Sequence, residues 1–494
     1  MIEPLEPVRV EKLKGIEALG YELYPTEYRY THTIAKVVTA FSAKTAEELA
    51  ELEQSAVMVR VAGRMLANRS FGKAGFLSLS DSGERLQVYA KKDQLPERDF
   101  QLYLLLDIGD FVGVEGTLFR TRTGELTVLA KEITFLVKGL LPLPEKWHGL
   151  TDVEIRYRRR YVDLVVNPEV RDVFVKRSLI IRELRTYLDE HGYFEVETPI
   201  LHPIAGGALA KPFKTHHNAL DMPLFLRIAP ELYLKRLIVG GLNRVYDLNR
   251  NFRNEGISFK HNPEYTMLEF YQAYSNYHDL MDLTEELLKR VVDRVCGTRK
   301  VTFGTHTIDF DSWTRITMAE AIVRYSDDTI TADDLKSREF VERMLKTLHA
   351  DFNPKLPLGN LIGVLFETVA EKHLIQPTIV YEHPVELSPL AKKKKGDPSI
   401  VERFELFIAG MELANAYSEL NDPVDQRERF ESQIGARELG DEEAHLMDED
   451  YVRALSYGMP PTAGEGIGVD RLTMILTDSK SIRDVILFPA MRPE

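Results

Sequence analysis

The sequence predicts an α+β chain of more than one domain, with a small closed β-barrel ahead of a larger domain that mixes helices with a long β-hairpin. Three observations predict it. The 494 residues exceed what one ordinary hydrophobic core organises, so two or three domains are expected. Between about Ser55 and Lys138 the apolar pattern runs in short alternating segments separated by Gly, Asp, Ser and Asn turns, with no sizeable helix except near Leu102. From Val245 to Tyr271, VYDLNRNFRNEGISFKHNPEYTMLEFY, two strand-like arms flank a polar loop interrupted by Gly256.

Composition narrows the class. With 44% hydrophobic and 28% charged residues the chain reads as globular. It has no apolar run of about 18 residues, so no membrane partner is expected. The start MIEPLEPVRVEKLKG matches neither a signal nor a transit peptide, so a cytoplasmic location is expected. The single cysteine, Cys296, excludes an intrachain disulfide and a Cys-based zinc site. A net charge of −14 looks wrong for a nucleic-acid binder, because phosphates are contacted by Lys and Arg. Locally the sign changes: Ala56–Gly139 holds 12 Lys and Arg against 10 Asp and Glu, a balance of +2 that leaves −16 for the remainder. RNA would therefore be held by a patch.

Residues 1–54 read as a helical extension, with Thr45 and Glu48 forming a capping box. Residues 55–140 carry VMVRVAGRML, GFLSLSD, RLQVYAKK, DFVGVEGTLFRT and ELTVLAKEITFL, the pattern of an OB-fold barrel. Such barrels bind single strands by stacking bases on aromatic rings and tracking phosphates with cations. The aperiodic stretch at 141–150, with its prolines, reads as a linker to a domain over 151–494. That domain opens with a helix capped by Asn167, with Pro168 in its first position and its end at Gly192. A strand over Tyr193–Glu197 follows. Gly206 and Gly207 in the loop Ile204–Phe213 allow close backbone approach to a ligand. APELYLKRLIVGG, with Arg227 just ahead and Glu231 within, comes next.

Along the hairpin, side-chain alternation sends Arg253, Glu255, Tyr265, Glu269 and Tyr271 toward one cavity. The forked, permanently charged guanidinium of Arg253 suits an α-phosphate. The ring of Tyr265 can stack on a base. Residues 272 to about 380 read as helices and loops inserted into the domain. Glu405, Glu412 and Glu419 recur every seven residues. On a helix they would share a face, but the Phe, Ile and Gly content favours strands, where odd and even positions differ. Carboxylates gathered in an apolar sheet require a cation partner, and magnesium is a natural one for hard oxygen ligands. Asp422-Pro423 opens a further helix. Gly464, Gly466 and Gly468 leave one strand face bare enough to floor a flat base, and Arg471 follows at a helix start, where the dipole favours phosphate. The tetralysine Lys392–Lys395 reads as a solvated loop, with contact to phosphate as the alternative.

Phe252-Arg253-Asn254-Glu255, the loop through His261-Asn262-Pro263-Glu264 and the arm to Glu269 resemble motif 2 of the class II aminoacyl-tRNA synthetases. The helix and strand over 167–199 resemble motif 1, and Gly458–Arg471 with its following helix resembles motif 3. Nearly the whole chain is similar to the bacterial lysyl-tRNA synthetases. The resemblance implies an OB-fold followed by a class II catalytic domain, an antiparallel sheet flanked by helices. It implies ATP-dependent attachment of L-lysine to tRNA(Lys) through a lysyl-adenylate, and a homodimer packed through motif 1.

Carried over position by position, the resemblance gives Arg69, Phe76, Gln87 and Glu125 to the anticodon. ATP falls to Arg253, Glu255, His261, Asn262, Tyr265, Glu405 and Arg471, with Arg253 on the α-phosphate, Arg471 on the γ-phosphate, and Arg253, Glu255 and Arg471 as the catalytic set. Lysine falls to Gly206, Glu231, Glu269, Tyr271, Asn415 and Glu419, with Glu231 on its α-amino group and Asn415 and Glu419 on its side chain. Glu405 and Glu412 would hold Mg2+. Two positions depart from the family pattern: Glu465, where an apolar residue is usual, and Tyr265, where the ring is usually Phe. An aspartyl or asparaginyl synthetase shares the layout, but its pocket needs a cation or an amide where this chain offers Glu419 and Tyr271. An inactive RNA-binding or regulatory paralogue need not keep Arg253, Glu405, Glu412 and Arg471 together, as this chain does.

Overall fold

The computed structural model describes residues 4–55, 57–144, 150–207, 210–327, 329–438 and 446–493. It divides into two compact units, one ending at Arg171 and one beginning at Asp172. The linker expected over 141–150 lies partly outside the described residues, as do Ala208 and Leu209 of the glycine loop.

The first unit opens with helices α1 (Pro7–Ala18), α2 (Ile34–Phe41) and α3 (Ala46–Gln54). Thr45 and Glu48 form the expected capping box on α3, each bonding the other's backbone N–H, at 3.2 and 2.7 Å. Strands β1 (Val59–Ser70), β2 (Ala74–Asp81), β3 (Glu84–Lys91), β4 (Phe111–Arg120) and β5 (Leu126–Val137) close into a barrel in the order β1-β2-β3-β5-β4, with α4 (Glu97–Leu105) between β3 and β4. This is the expected OB-fold. Strict alternation along β2 sends Leu77 and Leu79 inward and leaves Phe76 outside. Ile16, Ile34, Val37 and Leu49 are buried in the same core as Val61, Leu77, Val88 and Val114. The N-terminal helices therefore complete the barrel's core, a role their sequence did not reveal. Helices α5 (Val153–Arg158) and α6 (Arg160–Val166) follow, and α7 (Pro168–Glu190) begins at the expected proline.

The second unit is organised on a nine-stranded sheet. Its strands are β6 (Phe194–Glu195), β10 (Arg244–Phe252), β11 (Glu264–Ala273), β14 (Thr314–Thr317), β15 (Thr378–Pro384), β16 (Lys393–Lys394), β17 (Asp397–Ile408), β18 (Met411–Ser418) and β19 (Thr462–Gly468). They run in the order β14-β15-β17-β18-β19-β11-β10-β6, with β16 paired to β17. All pairs are antiparallel except β6–β10 and β14–β15. Two small sheets stand beside it, β7 (Leu201–His202) with β8 (Lys214–His217) and β9 (Met222–Leu226), and β12 (Lys300–Phe303) with β13 (His306–Asp309). The helices are α8 (Glu231–Val239), α9 (Tyr277–Cys296), α10 (Met318–Arg324), α11 (Arg338–Thr347), α12 (Leu358–Val369), α13 (Pro423–Glu438), α14 (Glu449–Ser456) and α15 (Val469–Thr477).

One sheet face packs on α7, α9 and α15, through Leu184, Leu288 and Ile475 among others. The opposite face carries a cleft, closed at one end by α8 and α14 around Leu234, Val245 and Tyr451. The stretch 272–380 departs from the expected helices and loops. It contains β12 and β13, and its short runs TRIT and TIVYEHP become β14 and β15, which extend the main sheet. Both runs are rich in Thr, Ile and Val, which fit a pleated, half-buried surface.

Glu465 faces away from the cleft. It pairs across with Phe270 and Ala416 on the core side of the sheet and is 2% exposed. Thr284 Oγ1 on α9 lies 2.7 Å from its carboxylate and 2.6 Å from the Leu280 carbonyl. One hydroxyl proton serves only one acceptor, so a protonated Glu465 that donates to Thr284 lets that hydroxyl donate to Leu280, while Glu465 Oε1 stays buried without a partner. Burial pushes the carboxyl up to about 8, with the Thr284 hydroxyl opposing. A raised carboxyl pKa means the folded state holds the proton more tightly than the unfolded chain. Its stabilising contribution is then present below the unfolded value and lost as pH rises from about 4.5 to about 8. Glu465→Gln is expected to raise the thermal midpoint more at pH 9 than at pH 5, measured by circular dichroism. A gap that does not change with pH would contradict a protonated Glu465.

Candidate active site

The hairpin β10–β11 forms as its alternation dictates. Asp247 pairs with Glu269, Val245 with Tyr271 and Asn251 with Tyr265. Leu268 and Phe270 enter the core, while Tyr265, Met267, Glu269 and Tyr271 take the cleft face. On the neighbouring strand, Gly464, Gly466 and Gly468 pair with Tyr271, Glu269 and Met267, so the bare stripe lies on that same face. The glycines serve two different places. A Cβ at Gly464 would stand 2.3 Å from the Tyr271 ring and 2.4 Å from Glu419 Oε1, and one at Gly466 would stand 2.6 Å from the Met267 methyl. Gly466 and Gly468 line a narrow pocket of about 90 Å³ together with Arg253, Glu255, Tyr265 and Arg471.

Arg253 is held by its backbone, which donates to the Pro263 carbonyl at 2.9 Å. Its guanidinium carbon lies 5.2 Å from the Tyr265 ring centroid, and its buried Nε has no hydrogen-bond partner. Burial disfavours its charge, but Tyr265, Glu412, Glu255 and Glu269 outweigh that cost and keep it firmly protonated. A buried, charged donor left unmatched is what an anionic ligand would complete. The Tyr265 hydroxyl donates to the Ile228 carbonyl at 3.4 Å, which takes the tyrosine's polar end away from the stacking face. Arg471 stands in the first turn of α15 and bonds the Glu412 carbonyl at 2.5 Å, its carboxylate at 3.4 Å and His261 Nε2 at 3.5 Å. His261 is pulled below the usual imidazole value by burial and then by Arg471. Asn262 donates to the Glu264 carbonyl at 2.6 Å and keeps a buried, unpartnered Oδ1.

Lys260, His261, Glu412 and Arg471 line both this pocket and a wider cavity of about 520 Å³. Glu367, Glu371, Arg403 and Glu405 line the wider part. Glu405 and Glu412 reach one face through the hairpin β17–β18. Glu405 pairs with Asn415, but a register shift after Leu406 sets Phe407 opposite Glu412, so Glu405, Glu412, Asn415 and Tyr417 share a side. Arg403 bonds Glu405 at 2.5 Å and Asn415 Oδ1 at 2.8 Å. Burial pushes Glu405 up to about 7, with Arg403 opposing and Glu412, Glu367 and Glu371 adding to the rise. Hard carboxylate oxygens crowded beyond what Arg403 neutralises fit a divalent cation that completes its shell with phosphate and water. Among the described residues no cluster of three His, Cys, Asp or Glu forms a self-sufficient metal cage.

The deep end of the cleft is acidic. Glu231, the first residue of α8, accepts from Lys235 Nζ at 2.5 Å and from the Tyr417 hydroxyl at 2.5 Å. Glu419, just past β18, is fully buried with Oε2 against Lys235 and with Oε1 unpartnered. Burial raises its carboxyl well above the usual range, Lys235 opposing and Glu231 adding. Burial, then Glu231, pushes Glu269 up to about 8 against the pull of Arg227, and the Tyr271 hydroxyl donates to it at 3.4 Å. Arg227 pairs with Asp247 through Nη1 at 2.9 Å and bonds Thr198 and the Arg250 carbonyl, while its buried Nη2 keeps no hydrogen-bond partner.

Of the sequence-derived positions, Arg253, Glu255, His261, Asn262, Tyr265, Glu405, Glu412 and Arg471 line the joined cavity, and Glu231, Glu269, Tyr271 and Glu419 gather at its deep end. Asn415 turns to Arg403 and Glu405 instead, and Gly206 lines a separate pocket beside Ala229 and Tyr233. The tetralysine stays outside. Lys392, Lys393 and Lys394 bond Asn421, Asp425 and Glu382. Sequence reasoning missed Lys235, Tyr417 and Arg403. The four-residue spacing of Glu231 and Lys235 on one helix was the available signal for the first.

On the barrel, Arg69 pairs with Phe76 across β1–β2, and the Gln87 side chain accepts from Thr127 at 2.8 Å beside exposed Glu125. Phe76 belongs to an outward row of rings. It stacks on Tyr89 at 4.6 Å between centroids, with Phe71 at 6.3 Å, and Tyr89 lies 6.2 Å from Phe119.

The family model described as tRNA synthetases class II (D, K and N) matches residues 152–492, and that described as an OB-fold nucleic acid binding domain matches residues 59–136. The chain is 53% identical to the lysine–tRNA ligase of Moorella thermoacetica, over 99% of this chain and 98% of that protein. It is 52% identical to that of Carboxydothermus hydrogenoformans, over 100% and 99%, and 52% identical to that of Syntrophomonas wolfei, over 100% and 98%.

Proposed function

We propose, for a chain that belongs to the class II tRNA synthetases of the D, K and N group, that it is a lysine–tRNA ligase, which joins L-lysine to tRNA(Lys) at the expense of ATP. The single observation that carries the choice of amino acid is the deep end of the cleft, where the carboxylates of Glu231, Glu269 and Glu419 converge and outnumber the cations beside them, Lys235, which lies between two of them, and Arg227, which is paired with Asp247. Aspartate or asparagine would meet carboxylates there, whereas a diammonium substrate is matched.

Adenine stacks on Tyr265 over Gly466 and Gly468, Arg253 takes the α-phosphate and Arg471 the γ-phosphate. Glu231 receives the substrate's α-ammonium, and Tyr271 with Glu419 receives the ε-ammonium. Held so, the lysine carboxylate attacks the α-phosphate in line and pyrophosphate leaves; the 3′-hydroxyl of tRNA then attacks the adenylate carbonyl, losing its proton as AMP leaves. No side-chain nucleophile is required; positioning and fixed charge supply the acceleration. Mg2+, held through Glu405 and Glu412, would neutralise phosphate charge when the nucleotide is bound. A homodimer is supported by the edge strand β6, where Phe194 is 63% exposed and nearby Leu201 46%. A cytoplasmic location agrees with the absence, among the described helices, of one long and apolar enough to cross a membrane.

Charging of a tRNA(Lys) transcript with labelled lysine tests the whole reading, and lack of charging would overturn it. Within that assay Phe76→Ala is expected to weaken tRNA use by about 1–3 kcal/mol, the worth of one stacked base, without changing lysine-dependent ATP–pyrophosphate exchange. An equal fall in both would make the ring a support of the barrel instead.

A further inference from the structure

Lys235 is an ammonium group with no access to water at the centre of the amino-acid end of the cleft. One helical turn of α8 sets it on the same face as Glu231, and its Nζ sits 2.5 Å from Glu231 Oε1 while also touching Glu419 Oε2. The Tyr417 and Tyr451 rings flank it at 5.4 and 6.0 Å. A desolvated ammonium is tolerated only when paired, and two buried carboxylates this close are tolerated only with a cation between them. The three groups carry a net single negative charge when all are ionised. That charge is directional. Glu419 Oε2 is ion-paired with Lys235, though without the geometry of a hydrogen bond, whereas Oε1 is turned over the bare backbone of Gly464, beside the Tyr271 ring, with neither kind of partner.

We propose that Lys235 is a positioning residue for amino-acid recognition: a resident ammonium that bridges Glu231 and Glu419, holds them apart and fixes Glu419 by one oxygen, so that its other oxygen remains for the substrate's side-chain ammonium. The proposal rests on the lysine-activating reading and adds a component to it. Without Lys235 nothing bridges the two carboxylates, and they draw the incoming ammonium between them, deeper than Arg253 can match at the other end. Lys235 thereby sets both the charge count of the pocket and the depth at which the substrate stops.

Lys235→Met keeps length and apolar stem but removes the charge. In lysine-dependent ATP–pyrophosphate exchange its KM for lysine is expected to rise by at least about tenfold while its KM for ATP stays within about twofold of wild type. An unchanged KM for lysine, or equal rises for lysine and ATP, would overturn the proposal by making Lys235 a packing residue. Lys235→Ala supplies a second readout, and the only one required if the methionine variant does not fold. Added ethylammonium should restore lysine activation by refilling the vacated ammonium position, and an alanine variant indifferent to ethylammonium would contradict the proposal. Failure of the underlying reading is distinguishable, because the wild-type protein would then show no lysine-dependent exchange.

Discussion

Arg253→Ala is expected to lower adenylate formation by about 10²- to 10³-fold, the usual consequence of removing one fixed donor from the place where charge develops. The side chain is half-buried, charged, stacked near Tyr265 and left with an unmatched Nε. It braces little else through its side chain, so circular dichroism and the thermal midpoint should change little. Arg253→Lys keeps the charge but loses the planar fork, and is expected to recover only part of the rate. Exchange at near-normal rate in the alanine variant would remove Arg253 from the reacting centre, and with it the reading of the hairpin as a phosphate site.

Glu419→Gln is expected to lower lysine activation by at least about tenfold, since a charge-assisted hydrogen bond in a closed pocket contributes roughly 1.5–3 kcal/mol and each 1.4 kcal/mol is a decade. Two losses act together. The substrate's ε-ammonium loses its anionic acceptor, and Lys235 loses one of its two carboxylates. Neither touches Arg253, Arg471 or Glu405, so ATP should bind with unchanged affinity. The variant's KM for lysine in exchange, beside its KM for ATP, is the measurement. Normal lysine activation, or loss of ATP binding along with it, would deprive Glu419 of its role in specificity.

What could be read in the sequence is local. The alternation of Tyr265, Thr266, Met267 and Leu268 sorts cleft from core because a strand has a strict period of two. The same rule lined up the bare stripe of Gly464, Gly466 and Gly468. Glu405, Glu412 and Glu419 show where the rule stops. Their spacing of seven alternates faces on a regular strand, and only the tight turn at Ala409-Gly410 and the register shift after Leu406 return Glu412 to the side of Glu405. A bulge leaves little trace in composition. Lys235 was hidden for a different reason. In ELYLKRLIV it reads as the solvated side of an amphipathic helix, and its second partner, Glu419, lies 184 positions further along. Long-range charge compensation of that kind has no periodicity. The departure at Glu465 was visible as an unusual residue type, but its direction was not. Only its pairing with Phe270 and Ala416 turns it from the cleft toward α9.

Amino-acid-dependent ATP–pyrophosphate exchange, run with each of the twenty amino acids in turn and without tRNA, tests the central claim most directly. The arrangement of Arg253, Arg471 and the carboxylates around Lys235 predicts strong exchange with lysine and background with the rest, aspartate and asparagine included. Exchange led by aspartate or asparagine, or no exchange with any amino acid, would contradict it.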